Sequence, residues 1–343
     1  MAPVRGKTGL ISVHYHERVN EVQGDPRLAD LFQRASCGSP FERGEWFTLL
    51  AQHCGLRPLL ALACDGPACA LLPLQKGEHR LEALGNWYSF IVKPILSPDA
   101  LGPALLRAVA RDLKRDHARV YLAPLPDEDG STLLIQDAFR SAGWVVHRKP
   151  CDTNHFVEIG GRSYAQYLAD RPGHLRTTLK RKAGKVHVDI HTRFDPAIWV
   201  DYEAVYNASW KPNEGSPAFL KAFAEAEAQA GRLRLGIARA AGVPVAVQFW
   251  TVENSTAFIH KLAHTEEAKG LSPGTTLCAA MFEHVIDRDG VNVVDFGTGD
   301  DSYKRDWMEL QRPRYSLDCL NPANPRAWPH LIRAGLRHLA GRE

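Results

Sequence analysis

The residues best suited to chemistry lie in one segment, from Gly270 to Trp307, which reads GLSPGTTLCAAMFEHVIDRDGVNVVDFGTGDDSYKRDW. Its Ser272-Pro273-Gly274 run predicts a helix start, whose free backbone N–H groups and dipole both favour negative charge. A short apolar strand over Val291–Val294 follows, and then Asp295 with a Gly/Asp turn behind it. Polar residues grouped just after a strand commonly carry chemistry. The segment therefore predicts a phosphate-bearing donor held close to a reaction centre.

The elements that must position this segment occur twice along the chain. Residues 59–125 and 233–297 share one order: strand, turn with glycine, strand, strand, loop ending in Ser-Pro, helix, strand. The order favours a duplicated α/β domain, with chance similarity between two α/β units as the alternative. The matching landmarks, at offsets of 176 and 175 residues, are Asp65-Gly66 with Ala241-Gly242 and Ser97-Pro98 with Ser272-Pro273.

Apolar spacing predicts the remaining elements. A strand is expected over residues 154–159, with Gly160-Gly161 as a hinge behind it. The last helix, Arg326–Leu339, is basic and amphipathic, with Arg333 and Arg337 on one face and Ile332, Leu336 and Leu339 as an apolar stripe. The other predicted helices are Pro40–Cys54, Leu133–Ala142, Pro196–Trp210 and Ala218–Ala230.

Length and composition bound the class of protein. The chain has 343 residues, which suits two domains, and its 45% hydrophobic and 24% charged residues are ordinary for a soluble protein. A net charge of +3 argues against a dedicated nucleic-acid binder. No apolar run approaches the roughly 20 residues that span a bilayer, and the N-terminal residues lack the apolar segment of a secretion signal. We expect a cytoplasmic protein, with peripheral contact at the inner face of the membrane left open.

The seven cysteines form no CxxC pair. Cys64 and Cys69 are the one close pair, and they lie across a predicted turn, so we expect no zinc site and no other metal. The cysteines are expected to be reduced and mostly in the core: Cys37, Cys54, Cys64, Cys69, Cys151, Cys278 and Cys319.

The motif DFGTGDDSYKRDW, with SPG opening the helix before it, resembles the signature of a branch of the GNAT acyltransferase superfamily. This branch is related to the Fem-type transferases and is often labelled as cellulose-biosynthesis-associated. The resemblance is strongest over about residues 160–315 and includes the segments LRTTLKRKAGK and NASWKPN. It implies tandem GNAT-like α/β domains with mixed, mostly antiparallel sheets flanked by helices. The expected division is a degenerate domain over residues 1–160, an acyltransferase domain with the active site over 161–320, and a basic helix over 321–343.

The resemblance implies acyl-CoA as co-substrate, with its diphosphate at the helix start. This sequence departs from the best-known GNAT donor pattern, a Gln/Arg followed by spaced glycines, so an aminoacyl-tRNA donor of the Fem type stays open. A plain capped helix and a solvated Lys261 are the alternatives for the individual residues. The expected donor-binding residues are Lys261, Gly270, Ser272, Gly274, Thr275 and Thr276.

Transfer to an amine requires a group that accepts a proton, because alkyl amines are protonated at neutral pH. His260 lies in TAFIHKLAH, where strand alternation puts Phe258, His260, Leu262 and His264 on one face. We consider His260 as the base, with a hydrogen-bonded, half-buried histidine as the alternative. Asp295 either accepts the proton or orients the amine, or else it caps the turn behind it.

Tyr303 and Lys304 complete the expected catalytic set. Tyr303 is a candidate proton donor to the leaving thiolate, with packing as the alternative. Lys304 resembles the lysine that Fem-type relatives place near the transferred carbonyl, where a cation stabilises developing negative charge. An exposed lysine is the alternative.

The acceptor is expected to contact aromatic and basic residues outside the motif. Tyr88 and the pair Trp210-Lys211 sit in predicted loops, with aromatic core packing as the alternative. Arg181 belongs to a basic run that suits an acidic ligand or forms a solvated face.

The function expected is direct transfer of an acyl group from acyl-CoA to a primary amine, without an acyl-enzyme intermediate. The acceptor is an amino sugar, an amino acid or an amino lipid such as a sphingoid base, in envelope polysaccharide or lipid metabolism. Two alternatives remain: a Fem-type aminoacyl-tRNA-dependent transferase and a non-catalytic GNAT-like binding subunit of an envelope-synthesis complex.

Overall fold

The computed structural model describes residues 11–35, 38–99 and 101–339. Cys37 and the side chains of Arg337 and Leu339 lie outside the described part. The chain forms two compact units: unit 1 is Met1–Asp152 with Pro313–Glu343, and unit 2 is Thr153–Arg312. The expected domain borders at residues 160 and 320 stay predictions.

The first half of the chain contains seven strands and five α-helices within the described ranges, and a 3₁₀ turn at Pro40–Glu42 precedes α3. In chain order they are β1 Ser12–His16, α1 Val19–Gln23, α2 Pro26–Ala35, α3 Gly44–His53, β2 Pro58–Asp65, β3 Ala68–Lys76, β4 Leu81–Ala83, β5 Ile95–Leu96, α4 Leu101–Asp116, β6 Arg119–Leu125, α5 Ser131–Ser141 and β7 Val145–Glu158.

The rest of the described chain alternates helices and strands, and α10 continues into a π-helical turn at His284–Arg288. In order these elements are α6 Tyr164–Ala169, α7 Gly173–Lys182, β8 His187–His191, α8 Pro196–Asn207, α9 Pro217–Gln229, β9 Leu233–Ala240, β10 Val243–Glu253, β11 Thr256–His264, α10 Pro273–Glu283, β12 Val293–Thr298, α11 Lys304–Trp307, β13 Leu310–Leu320 and α12 Trp328–Leu339.

The sheet of unit 1 has the order β1-β2-β3-β4-β6-β13, with β5 paired to β3. Its β4–β6 pair is parallel and its other pairs are antiparallel. Helix α4 packs on β2 and β3 and against α5, because its apolar side chains recur at helical spacing. The buried side chains of α4 are Leu105, Leu106, Val109, Ala110 and Leu113.

The sheet of unit 2 has the order β7-β12-β11-β10-β9-β8, and only its β11–β12 pair is parallel. Helix α10 lies on β9, β10 and β11, and α8 packs on β10 and β11. Gly236 of β9 allows a close approach of α10, since an added Cβ would lie 2.7 Å from Sδ of Met281. The mixed sheets and flanking helices confirm the predicted fold class.

Most predicted elements are present with shifted ends. Both hairpins form at the expected turns, and the four middle helices agree within a few residues. Strand β7 is longer than the expected 154–159, and the last helix begins at Trp328 instead of Arg326. Strand β12 covers Val293–Thr298 and not Val291–Val294, so Asp295 lies inside the strand. No helix in the described ranges is long and apolar enough to cross a membrane.

The expectation that every cysteine is reduced is wrong for one pair. Cys64 and Cys69 form a disulfide. They are directly opposite each other in the β2–β3 hairpin, with their Cα atoms 4.2 Å apart, and this register places the two thiols in contact. Cys54, Cys151, Cys278 and Cys319 are not disulfide-bonded.

Candidate active site

A pocket of about 220 Å³ lies in unit 2 where β11 and β12 separate. The two strands pair in parallel over three positions, from Thr256 opposite Val293 to Phe258 opposite Asp295. Beyond Phe258, no strand within the described ranges pairs with the edge of β11 that faces β12. The pocket is lined there by residues of β11, β12, α10 and the chain around α11.

The N-terminal turn of α10 forms one wall of this pocket. Gly274 and Thr275 line it, and their N–H groups fall in the first helical turn, where no intrahelical acceptor exists. Ser272 adopts a left-handed conformation with φ 55° and makes no side-chain cap. The predicted helix start is therefore present, but the expected side-chain cap of Ser272 is absent.

Neighbouring side chains fix the position of this turn. Gln248 is buried and its Nε2 donates to the carbonyl of Gly274 at 3.3 Å. Lys182 of α7 donates from Nζ to the carbonyl of Gly270 at 2.5 Å. Thr276 is buried and its Oγ1 donates to the carbonyl of Ser272 at 3.3 Å. Of the expected donor residues on this turn, Gly274 and Thr275 reach the pocket, whereas Thr276 braces the turn.

A β-bulge separates the two histidines of β11. Phe249 of β10 pairs with Lys261, but the next residue, Trp250, pairs with Ile259, so His260 is the extra residue. A bulge reverses the side-chain alternation beyond it. His260 consequently packs against Phe249, at a ring distance of 5.3 Å, while His264 lines the pocket.

His260 lies in an aromatic environment away from the pocket lining. Its Nε2 is 2.8 Å from Oγ1 of Thr251, and its ring is 5.0 Å from the ring of Phe223 on α9. These contacts correspond to the hydrogen-bonded, half-buried alternative for this residue.

His264 has the geometry of a general base. Its Nδ1 is 3.0 Å from the carbonyl oxygen of Thr265, which can only accept a hydrogen bond. The neutral ring therefore carries its proton on Nδ1 and keeps the lone pair of Nε2 available. The ring packs against Trp210, with the centroids 4.3 Å apart and the planes tilted by 43°, and an added Cβ on Gly274 would lie 3.2 Å from its Cδ2. His264 is thus held between Trp210 and the start of α10.

Tyr303 also lines the pocket. Its ring meets Phe296 edge to face, with the centroids 5.7 Å apart. Burial, and next the negative charge of Asp301, raise the pKa of the Tyr303 phenol. The phenol therefore stays protonated at neutral pH, as a proton donor requires.

Trp210 and Lys211, two of the predicted acceptor residues, lie beside His264 and Tyr303. Trp210 lines the pocket. The Lys211 ammonium is 5.3 Å from the ring centre of Trp210 and 6.0 Å from that of Tyr303. Burial lowers the pKa of Lys211 below the usual value for lysine.

Asp295 is buried in a polar network and does not line the pocket. Its Oδ1 accepts from the Gly297 amide and from Nδ2 of Asn154, both at 2.7 Å, and its Oδ2 accepts from Nη2 of Arg312 at 2.9 Å. Nε of Arg312 also donates to Asn154 at 2.6 Å. The Gly297 contact is the turn cap considered as the alternative, and the network joins β12 to β7.

Lys304 is buried and not exposed. Its Nζ donates to the carbonyl of Thr298 and lies 5.3 Å from the ring centre of Phe296, a pocket residue. The pocket lining does not include Lys304. The hydrogen bond from Lys304 to Thr298 closes the turn over residues 298–304, next to Phe296 of the pocket.

Three further expected residues lie elsewhere. Lys261 pairs with Glu214 at 2.9 Å and lies 5.6 Å from the ring centre of Tyr206. Arg181 is exposed on α7. Tyr88 belongs to unit 1, where it is buried beside Trp87.

Residues that sequence reasoning missed complete the pocket. His264 was recognised only as a member of a strand face, and the bulge that turns it into the pocket depends on the partner strand. Gln248 lies outside the motif, and Asp306 lies within DFGTGDDSYKRDW but was assigned no role. Asp306 supplies a carboxylate to the lining and pairs with His174 at 3.1 Å.

Comparison with known proteins finds a family model that matches part of unit 2. Residues 173–305 match the model described as Acetyltransferase (GNAT) domain. The matched span is similar to that domain and includes most of the pocket. No curated protein matches the chain.

Solved structures share the fold at low sequence identity. FemX superposes with a TM-score of 0.63 at 10% identity, covering 90% of this chain and 98% of its own. The C-terminal domain (DUF2156) of a putative lysylphosphatidylglycerol synthetase from Agrobacterium fabrum gives 0.59 at 13% identity, covering 93% and 98%. A tandem GNAT protein from the clavulanic acid biosynthesis pathway gives 0.52 at 15% identity, covering 91% and 100%. These likenesses show the fold, and the cellulose-biosynthesis branch stays a prediction.

Proposed function

We propose that unit 2 is an N-acyltransferase that moves an acyl group from acyl-CoA directly to a primary amine. One observation carries the proposal: a single pocket joins the open first turn of α10 with His264 and Tyr303. Donor binding, proton acceptance and proton donation are the three requirements of such a transfer, and each has a residue or backbone group here.

The donor lies along α10 and the open edge of β11. The diphosphate accepts from the N–H groups of Gly274 and Thr275, and the ammonium of Lys182 adds positive charge nearby. Beyond Phe258, where β11 and β12 no longer pair, an extended amide-bearing arm lies along β11. The thioester then reaches the gap between β11 and β12.

Transfer proceeds in one displacement at the thioester carbon. The amine attacks while Nε2 of His264 accepts its proton, directly or through a water. The C–N bond forms, the C–S bond breaks, and the Tyr303 phenol protonates the departing thiolate. Cys278 also lines the pocket, but burial raises the pKa of its thiol, which keeps it protonated and unsuited to form an acyl-enzyme.

The acceptor is an amine-bearing small molecule or lipid. Asp306 is the carboxylate of the lining and can hold an incoming ammonium before its proton is lost. An amino sugar, an amino acid and a sphingoid base all carry the required group, and envelope polysaccharide or lipid metabolism uses all three classes. The neighbour from Agrobacterium fabrum is described as a lysylphosphatidylglycerol synthetase, which keeps a lipid acceptor among the candidates.

A cytoplasmic location follows from the proposed donor, because acyl-CoA is used inside cells. The Cys64–Cys69 disulfide weighs against that location, since disulfides are rare in a reducing cytosol. Alkylation of thiols in freshly opened cells, followed by mass spectrometry, distinguishes the two states of this pair.

The test is a donor titration of the full chain. We expect coenzyme A and acyl-CoAs of graded chain length to raise the unfolding temperature, since a ligand at 100 times its dissociation constant adds about 2.7 kcal/mol. Release of the CoA thiol with a panel of primary amines then identifies the acceptor. If no thioester shifts the melting curve and none is consumed, the proposal is wrong.

Two alternatives would remain after such a failure. FemX has the same fold, and α7 exposes basic side chains, which keeps an aminoacyl-tRNA donor open. Salt-dependent RNA binding by the protein would favour it. A non-catalytic binding subunit is the other alternative, and a pocket that contains both a free imidazole nitrogen and a protonated phenol opposes it.

A further inference from the structure

Helix α12 of unit 1 carries an exposed apolar stripe. Trp328, Ile332 and Leu336 are 53%, 64% and 62% exposed. Their spacing of four residues places them within about 80° of one another around the helix, at about 100° per residue. Ala334, about 160° around the helix from Ile332, is half-buried. Contiguous exposed apolar side chains of this kind mark an interaction surface.

A cationic cavity of about 350 Å³ lies beside the same helix within unit 1. Its basic lining side chains are Arg119, Lys149 and Arg333, and Asp318 is its acidic one. Asp318 is already bound by Arg119 through two hydrogen bonds of 2.7 and 2.8 Å. The cavity therefore retains excess positive charge, which favours an anionic ligand.

Two histidines add polar groups to this lining. Nε2 of His147 is buried without a hydrogen-bond partner among the described residues, so it is available to a ligand atom. His330 is surrounded by the charges of Arg119, Arg333, Arg80 and Asp318. Burial, together with the three guanidinium groups, lowers the pKa of His330, whereas Asp318 opposes this shift.

One helix thus presents a charged pocket and an apolar stripe side by side. His330 and Arg333 line the cavity, and Arg333 lies about 60° around the helix from Leu336 of the stripe. The ligand that satisfies both features carries an anionic head next to an apolar body. Tryptophan and arginine at such a boundary are typical of proteins that lie on a membrane surface.

We propose that α12 docks unit 1 on an anionic phospholipid bilayer. The cavity takes a lipid phosphate, and Trp328, Ile332 and Leu336 enter the interfacial region. Docking requires neither acyl-CoA nor an amine, so the proposal goes beyond the acyltransferase function and can fail without it. Charge complementarity selects the anionic lipid as the occupant.

The test is co-sedimentation of the full chain with vesicles. Phosphatidylcholine vesicles that contain phosphatidylglycerol should sediment the protein, and binding should weaken as salt rises. Pure phosphatidylcholine vesicles should sediment at least about tenfold less of it, because they lack the anionic head. Inorganic phosphate at the same ionic strength should compete weakly. It can bind in the cavity as an anion, but it has no apolar part to contact the stripe.

Two double variants separate the stripe from the cavity. Ile332→Ser with Leu336→Ser should reduce partitioning at least about tenfold, because two apolar side chains leave the interface. Lys149→Gln with Arg333→Gln should reduce binding to anionic vesicles by about tenfold or more and leave the weak binding to neutral vesicles unchanged. All four substituted side chains are at least partly exposed, and an unchanged unfolding temperature verifies the fold.

Matched controls change residues outside α12. Val243→Ser changes an apolar side chain of unit 2 that is 61% exposed, close to the 64% of Ile332. Arg107→Gln with Arg111→Gln removes two exposed charges from α4 of unit 1. Neither control should change vesicle binding by more than about twofold, because scattered surface residues contribute little.

Four outcomes would overturn the proposal. The protein binds no vesicle; it binds neutral and anionic vesicles equally; or the controls lose as much binding as the α12 variants. The fourth is that inorganic phosphate stabilises the protein through Lys149 and Arg333 while vesicles leave it in the supernatant, which would make the cavity a site for a soluble phosphate. A dimer that the Ile332→Ser, Leu336→Ser variant converts to a monomer, without vesicle binding by either form, would instead make the stripe a self-association surface.

Discussion

The two units use a Ser-Pro loop in different ways. In unit 1, the hydroxyl of Ser97 accepts from the amide of Cys69 at 2.8 Å, and the Ser97 amide donates back to the Cys69 carbonyl at 2.9 Å. The carboxylate of Asp99 accepts from the Leu101 amide at 2.9 Å, in the first turn of α4. The start of α4 therefore already holds an anion from its own chain.

In unit 2, the same kind of loop leaves the helix start open. Ser272 makes no side-chain cap, and the first-turn amides of Gly274 and Thr275 border a pocket. The difference teaches that a Ser-Pro helix start becomes an anion site only where the protein does not fill it with its own carboxylate or hairpin. Sequence similarity between the two loops does not reveal this.

The largest effect should come from replacing His264, which lies beside the first turn of α10. His264→Gln keeps size and polarity but removes the basic nitrogen, so we expect kcat to fall by about 10²- to 10⁴-fold. His260→Gln is the matched control on the same strand, and its kcat should change by less than about threefold. Acyl transfer at saturating donor is the measurement.

Equal losses for the two histidines would contradict the assignment. So would a His264→Gln variant whose donor affinity, measured by calorimetry, falls as steeply as its kcat. Either result would show that the ring positions α10 through its contact with Gly274 and does not accept a proton.

Tyr303→Phe should produce the next largest loss. A thiolate is a weakly basic leaving group, with a thiol pKa of about 8.5, so we expect a fall in kcat of about 10- to 100-fold, at the lower end for a general acid. Tyr164→Phe is the control, because Tyr164 is also half-buried and burial likewise raises its pKa. The assay is the same acyl transfer.

The pH dependence of the wild type provides a second check on Tyr303. Because its pKa is raised above the ordinary tyrosine value of about 10, the phenol keeps its proton through that pH. The rate should therefore show no loss from phenol ionisation up to about pH 10. A basic limb below pH 10 that disappears in Tyr303→Phe would contradict the raised pKa.

A carboxylate introduced at the open start of α10 should make the unit 2 loop resemble the unit 1 loop, where a carboxylate already occupies the helix start. Ser272→Asp adds a negative charge at the first turn of α10, and we expect the dissociation constant of CoA to rise about tenfold, equivalent to about 1.4 kcal/mol. Ser272→Asn is the neutral control of nearly equal shape, and both residues tolerate the left-handed backbone there. Calorimetric titration with CoA measures both.

An equal loss for the aspartate and asparagine variants would attribute the effect to shape and not to charge. If CoA affinity is unchanged in both variants, the first turn of α10 does not bind the donor.

Sequence predicted the parts of the molecule that depend on local pattern. Both hairpins, strand β11, the start of α10 and the GNAT fold follow from turn residues, alternation and motif. The side to which a residue points after a bulge does not, because the extra residue at His260 is defined only against Phe249 and Trp250 of β10. His264 was therefore missed as a candidate although the strand containing it was correctly placed.

Side-chain burial and strand register were the other features that the sequence did not predict. Lys304 and Asp295 lie in a polar motif, yet both are buried. The burial of Asp295 involves Asn154, which is 141 residues away in the chain. The Cys64–Cys69 disulfide depends on the register of β2 and β3, which a turn prediction leaves undefined by one residue. Register and long-range packing are the information that only three-dimensional structure adds.

The smallest effect should come from removing the carboxylate that occupies the start of α4 in unit 1. Asp99→Ala removes the acceptor of the Leu101 amide, and we expect a loss of about 1 kcal/mol in the free energy of unfolding. Asp65→Ala, which removes an exposed carboxylate from the hairpin turn of the same unit, should cost less than about 0.5 kcal/mol. Urea unfolding measures both, and CoA affinity should stay unchanged. A new CoA-binding event in Asp99→Ala would mean that the native carboxylate alone keeps the unit 1 start from acting as a donor site, and that the surrounding hairpin contacts of Ser97 have no part in the difference between the units.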